Sequence, residues 1–194
     1  MKKIYSILLA TLFALSAWSQ APKADLLDVV FNADGSATDV SAAQCEIEAM
    51  GNPKVVASPQ YGMNVFCATA NTWNGTPSQW YRIPISDEIW NKYAEGFTIE
   101  SFFRCFWEGE NAPTSWATVI GMEEGGGFGI LTDGGKWCTE AHVGGGYKDV
   151  YEDIPVKGEW VHFVGVWNKE EGLLYLYKNG ELEDLALVDI VFSD

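Results

Sequence analysis

The chain has 194 residues, 47% of them apolar and 14% aromatic, a size and composition that fit one domain with a core large enough to fold unaided. Its net charge is −15, which repels nucleic acid and anionic lipid and argues against both as partners. The four cysteines, Cys45, Cys67, Cys105 and Cys138, form no Cys-x-x-Cys pair, which argues against zinc or thioredoxin-like chemistry.

The chain opens with Lys2 and Lys3, an apolar run from Ile4 to Leu15, and the small-residue stretch Ser16-Ala17-Trp18-Ser19. That is the pattern of a signal peptide, residues 1–19, and the apolar run is shorter than the roughly 20 residues that a membrane span requires. Cleavage near Ser19 predicts a mature chain of residues 20–194 that is secreted, periplasmic or at the cell surface, with no membrane span. In such a compartment disulfides persist, so the cysteines are open both to bridging, in any of three pairings, and to burial as small apolar residues.

Beyond residue 19, short β-branched and aromatic runs alternate with Gly, Asn, Asp and Pro turns, which predicts an all-β sandwich or barrel. Asp28–Phe31, Val55–Ala57 and Met63–Cys67 read as short strands. One helix is predicted over Asp87–Ala94, with Ser86 as its cap, two acids in its first turn, and Ile89, Trp90 and Tyr93 on a face that packs on the sheet. Phe97–Trp107 is the strongest strand. One of its faces carries Phe97, Ile99, Ser101, Phe103, Cys105 and Trp107; the other carries Thr98, Glu100, Phe102, Arg104 and Phe106. The second set mixes charges with aromatics and suits a partly open face that a ligand could touch.

Glu123–Gly135 is dense in glycine and invites comparison with a phosphate-binding loop. The residues that follow the first glycines, Phe128–Thr132, form a strand pattern, and no Gly-Lys-Ser/Thr follows. Glu123 and Glu124 would repel a phosphate, so Asp133-Gly134-Gly135 is read as a turn between strands. Further strands are predicted over Trp116–Ile120, Trp137–Val143, Tyr147–Tyr151, Trp160–Trp167 and Leu173–Tyr177. Asn179-Gly180 supplies a type I′ hairpin turn after the last of these.

Several of these stretches resemble laminin-G-like members of the concanavalin A-like lectin/glucanase superfamily. The resemblance is carried by Phe97-Thr98-Ile99-Glu100-Ser101-Phe102-Phe103, by Gly125–Ile130, by Ala141-His142-Val143-Gly144-Gly145-Gly146-Tyr147-Lys148, by Gly158–Trp167, and by Leu174-Tyr175-Leu176-Tyr177-Lys178-Asn179-Gly180-Glu181. It implies a jelly-roll sandwich of two antiparallel sheets over residues 20–194, with the family's last strands missing after Asp194. It also implies a non-catalytic binding or accessory module whose ligand is a carbohydrate or another cell-surface group, of bacterial origin. Some relatives precede a metallophosphoesterase domain, so a spacer once joined to such a domain is an alternative.

A glucanase-type hydrolase is the other alternative, and it needs two carboxylates about 5–5.5 Å apart. Glu46-Ile47-Glu48 is the nearest approach and lacks the third acid of the superfamily's Glu-x-Asp-x-x-Glu arrangement. The acidic loops could hold calcium, whose ligands are oxygens, although no Asp-x-Asp-x-Asp-Gly run is present. His162 reads as a hydrogen-bonded framework residue. The candidate ligand-binding residues are Trp73, Trp80, Trp116 and Tyr147, with Arg104, Glu140 and His142 as polar neighbours; where relatives often carry an aromatic residue, this chain has Glu140.

Overall fold

The computed structural model describes residues 24–68, 79–93, 96–104, 117–122, 127–143, 146–153 and 158–187. The described residues up to Ile85 and those from Ser86 onward separate into two compact units. Cys105, Trp73 and Trp116, together with Glu123 and Glu124, lie outside the described residues. No helix among the described residues is long and apolar enough to cross a membrane.

The first unit is made of short antiparallel pairs: β1 (Val29–Phe31) with β2 (Ala37–Asp39), β3 (Glu48–Met50) with β6 (Trp80–Arg82), and β4 (Val55–Ser58) with β5 (Met63–Phe66). The rings of Phe31, Phe66 and Tyr81 meet at centroid distances of 5.1 to 5.9 Å. The Tyr81 hydroxyl donates to the Gly35 carbonyl at 2.7 Å, so the aromatic cluster has a satisfied polar tip. Asp39 is a second anchor. Its buried carboxylate accepts from the backbone N–H groups of Asp28, Ser41 and Cys45 and from the Ser41 hydroxyl. Burial alone would raise its pKa, but these four donors outweigh that effect and hold it below the ordinary carboxylate value.

The second unit opens with α1 (Asp87–Tyr93). Ser86 Oγ accepts from the Ile89 N–H at 3.3 Å as the expected cap, and Ile89 and Trp90 are half-buried. The rest is two four-stranded antiparallel sheets. One has the order β11-β10-β9-β8, built from β8 (Ile120–Met122), β9 (Phe128–Asp133), β10 (Lys136–Val143) and β11 (Gly146–Glu152). The other has the order β14-β13-β12-β7, built from β7 (Phe97–Arg104), β12 (Trp160–Asn168), β13 (Leu173–Lys178) and β14 (Glu181–Leu187).

The two sheets face each other across one core. Ile130, Trp137, Ala141 and Val150 come from the first sheet; Ile99, Val161, Phe163, Trp167, Leu174 and Leu176 come from the second. Across the interface Phe97 stacks on Phe128 and Phe103 lies against Trp137, each at 4.8 Å. The strict alternation of β12, in which every second residue from Val161 to Trp167 is buried, follows from a pleated strand with one face inward. Gly165 occupies one of those inward positions because Thr139 of β10 fills the space: a Cβ there would come within 2.3 Å of Thr139 Cγ2.

The turns behave as their sequences require. Gly134 and Gly135 between β9 and β10, and Asn179 and Gly180 between β13 and β14, all have positive φ, as a type I′ turn demands. Phe128–Asp133 is a strand and not a helix, so the glycine-rich stretch before it lacks the helix N-terminus that a phosphate loop needs.

Candidate functional site

The outer faces of the two sheets differ in what covers them. On the β8–β11 sheet, Leu131, Cys138 and Glu140 point away from the shared core and are nevertheless buried, Glu140 being 1% exposed. This corrects the expectation that Glu140 is an accessible polar group: β10 is a central strand covered on both faces. Tyr151 lies next to it in the sheet, its hydroxyl 3.1 Å from Asp149 Oδ2 and 3.3 Å from Asp133 Oδ2. Burial first, and then the charge of Asp149, push its phenol far above the ordinary value and keep it a neutral donor. Toward the β10–β11 hairpin the covering ends. His142 stacks on Tyr147 at 4.5 Å and 18°, and Tyr147 is exposed.

The outer face of the β7/β12–β14 sheet is open, and its register sets the neighbours. Arg104 lies opposite Trp160, Phe102 opposite His162, Glu100 opposite Val164, and Thr98 opposite Val166. Phe102, 39% exposed, stacks on Trp160 with centroids 4.8 Å apart and planes 15° apart. The Arg104 guanidinium carbon lies 5.1 Å from the centre of the Trp160 ring, a cation–π contact. His162 Nε2 is 3.0 Å from Glu100 Oε2. The backbone N–H of His162 donates to Asn179 Oδ1, which ties the β13–β14 turn to β12. An aromatic pair, a guanidinium, an imidazole and a carboxylate thus stand together on one rigid face.

Farther across the same face the groups become apolar. Tyr177 pairs with Leu182, Tyr175 with Leu185, and Leu173 with Leu187; Val164 and Val166 of β12 continue these rows. The Tyr175 hydroxyl donates to Glu171, and this bond, more than desolvation, pushes its phenol up to about 12.

The residues singled out in the sequence therefore do not form one site. Arg104 is on the open face of one sheet, whereas Glu140, His142 and Tyr147 are on the opposite outside of the sandwich. Trp80, half-buried in β6 opposite Met50, belongs to the first unit. His162 is hydrogen-bonded as expected, but it stands on the open face and not in the framework. The sequence candidates do not include Phe102, Glu100, Trp160 and His162, although the alternation of β7 places Glu100 and Phe102 on the face of Arg104.

Glu46 and Glu48 are the nearest approach in the sequence to the carboxylate pair of a hydrolase. Glu46 is exposed and precedes β3, while Glu48, on β3, accepts from Arg82 Nε at 3.0 Å. Among the described residues no group of three or more His, Cys, Asp or Glu could hold a metal ion. Cys45 and Cys67 are free thiols, and Cys138 is buried.

These features define the second unit as an antiparallel two-sheet β-sandwich with one open, aromatic outer face. Solved structures share its fold. The binding domain of botulinum neurotoxin DC, determined in complex with rat synaptotagmin II, matches 87% of this chain with a TM-score of 0.66 at 17% identity. A structure described as showing that cell entry of botulinum neurotoxin type C depends on interaction with two ganglioside molecules matches 85% with a TM-score of 0.67 at 17% identity. The binding domain of Paraclostridial Mosquitocidal Protein 1 matches 84% with a TM-score of 0.67 at 15% identity. This chain spans about two fifths of the length of those chains, 40 to 41%. At such identities the likeness establishes an all-β fold. No family model matches the chain, and no curated protein matches it in sequence.

Proposed function

We propose that this protein is an exported, non-catalytic binding module that recognises a carbohydrate or another cell-surface group through the outer face of the β7/β12–β14 sheet. The observation that carries this reading is the stacked Phe102–Trp160 pair, with Arg104, Glu100 and His162 around it on an uncovered sheet face. Sugars offer apolar C–H faces and a rim of hydroxyls. Aromatic rings complement the first, and charged hydrogen-bonding groups the second. Placement on strands keeps the groups preorganised, which limits the ordering cost of binding.

Two further lines support the reading. Two neighbours in fold are described as binding domains, and a third structure as showing that cell entry of botulinum neurotoxin type C depends on two ganglioside molecules. The resemblance of β7, β12 and β13 to laminin-G-like modules points to the same class of protein, a jelly-roll sandwich of the concanavalin A-like kind. Within this proposal residues 1–19 are the signal peptide and residues 20–194 the mature module.

A glycan array probed with the mature chain, with calcium and then with a chelator, tests the proposal, with calorimetry on any positive. Saturable binding that Phe102→Ala weakens by about tenfold or more is the expected result. A folded protein that binds no glycan, or one whose binding is indifferent to Phe102, would overturn it. Loss of binding on chelation would add a metal to the site.

A further inference from the structure

The β13–β14 half of the open face differs in chemistry from the Phe102–Trp160 half. Leu182, Leu185 and Leu187 are 49, 48 and 72% exposed, and their cross-strand partners Tyr177, Tyr175 and Leu173 share that face. The register shift between Leu176 and Tyr177 makes Glu183 the extra residue of a bulge, which restores Leu185 and Leu187 to the same side as Leu182. The result is one apolar field three cross-strand rows long, extended by Val164 and Val166. Contiguous exposed apolar surface of this kind marks an interaction site more often than chance.

Charge decides what fits there. Between Lys169 and Leu187 there are two cations, Lys169 and Lys178, and five acids, Glu170, Glu171, Glu181, Glu183 and Asp184, a net of −3. Lys178 is already committed to Glu152 and Glu183. Glu170 and Glu171 lie in the β12–β13 turn, and Glu171 accepts from the Tyr175 hydroxyl, so exposed acids stand at the Leu173–Leu187 end of the apolar field. The Asp184 carboxylate accepts from the Tyr151 N–H of β11 and from the Leu185 N–H, which occupies edge donors that an added strand would use. A second copy of this chain would bring the same acids onto them, and the whole-chain charge of −15 adds to the repulsion. Anionic lipid is repelled for the same reason.

We infer that the β13–β14 face docks a cationic amphipathic segment of a partner protein, its apolar side on Leu182, Leu185, Leu187, Tyr175 and Tyr177 and its Lys or Arg residues toward Glu170 and Glu171 of the β12–β13 turn. The six residues of β13 span about 20 Å, the length of a helix of about 13 residues. This inference is independent of the carbohydrate reading, because it uses neither Phe102 nor Trp160.

The test uses the mature chain and a labelled Leu/Lys peptide of about 18 residues with helical amphipathic spacing. Controls are the same composition scrambled and a Leu/Glu counterpart, all followed by fluorescence anisotropy. The amphipathic Leu/Lys peptide is expected to saturate at one to one, and to bind about tenfold more weakly to the combined variant Leu182→Ser, Leu185→Ser, Leu187→Ser. The single variant Leu187→Ser, at the most exposed position, is expected to weaken it by about threefold and serves if the combined variant does not fold. Glu170→Gln with Glu171→Gln should flatten the loss of binding between low salt and about 0.3 M salt.

Equal binding of the scrambled or the Leu/Glu peptide, or binding indifferent to Leu187→Ser, would overturn the inference. So would sedimentation showing a dimer dispersed by Leu187→Ser, which would make a second copy the occupant. Recruitment to phosphatidylcholine vesicles lost in the same variant would make the occupant a lipid and overturn it equally.

Discussion

On the outside of the β8–β11 sheet, Leu131, Cys138 and Glu140 are buried; on the outside of the β7/β12–β14 sheet, Phe102, Leu182, Leu185 and Leu187 stand in solvent. Both sheets are four-stranded and antiparallel, and both put alternate residues of their strands into the same core. The difference therefore does not arise from the strand pattern. A sheet with one face in the core leaves the other to be covered or left open, and the residues on that second face show which. Where the second face is covered, acidic and apolar groups on it are structural. Where it is open, the same residue types are available to a ligand.

The contrast is tested most severely by matched truncations. Leu131→Ala, on the covered face, should cost about 2–5 kcal/mol in urea unfolding, because it removes a fully buried side chain. Leu185→Ala, on the open face, should stay within about 0.5 kcal/mol. Similar losses at the two positions would break the comparison.

Next in size is the contact that holds the two sheets together. Gly165→Ala places a Cβ 2.3 Å from Thr139 Cγ2 and should cost about 1–3 kcal/mol by overpacking. Thr139→Ala in the same chain should recover part of that loss in a double-mutant cycle, since it deletes Cγ2 and leaves only the Cβ, 3.0 Å away.

Asp39 shows what a buried carboxylate contributes within the first unit. Asp39→Asn should cost about 1–3 kcal/mol, because buried N–H donors lose a charged acceptor. Its folded pKa lies below the ordinary carboxylate value, so the folded state binds fewer protons than the unfolded state as the group titrates. The contribution is fully present above the unfolded value and is lost as pH falls through the lower, folded value. Wild-type stability should accordingly decline more steeply than that of Asp39→Asn below about pH 4.

The smallest effect is expected at the Glu100–His162 pair, whose side chains are largely in water. Glu100→Gln should change stability by less than about 1 kcal/mol while weakening any glycan bound beside Phe102. A larger loss of stability would mean that the pair serves the fold and not the face.

Much of the sandwich is legible in the sequence. The alternation of Phe97–Arg104 and Trp160–Trp167 is long enough to fix which residues face inward, and the Asp133-Gly134-Gly135 and Asn179-Gly180 turns announce their hairpins. Ala37–Asp39, Glu48–Met50 and Trp80–Arg82 are three residues each, too short to display a period of two. The candidate site was harder to see for two physical reasons. Pairing of distant strands is what brings Phe102 onto Trp160, and no local pattern encodes it. The bulge at Glu183 spaces Leu182 and Leu185 by three residues, so their shared face is hidden from a reading by alternation. Glu140 misled for a related reason: its period places it away from the core, and nothing in β10 itself reveals that this second face is also covered.

We propose that recognition belongs to the open face around Phe102 and Trp160 and not to the outside of the β8–β11 sheet. The most direct test is calorimetric titration of one array-positive glycan into wild type, Trp160→Ala and His142→Ala, each shown by melting to be folded. Trp160→Ala is expected to lose about tenfold or more in affinity and His142→Ala to bind as wild type. Loss confined to His142→Ala would contradict it and move the site to the His142–Tyr147 stack.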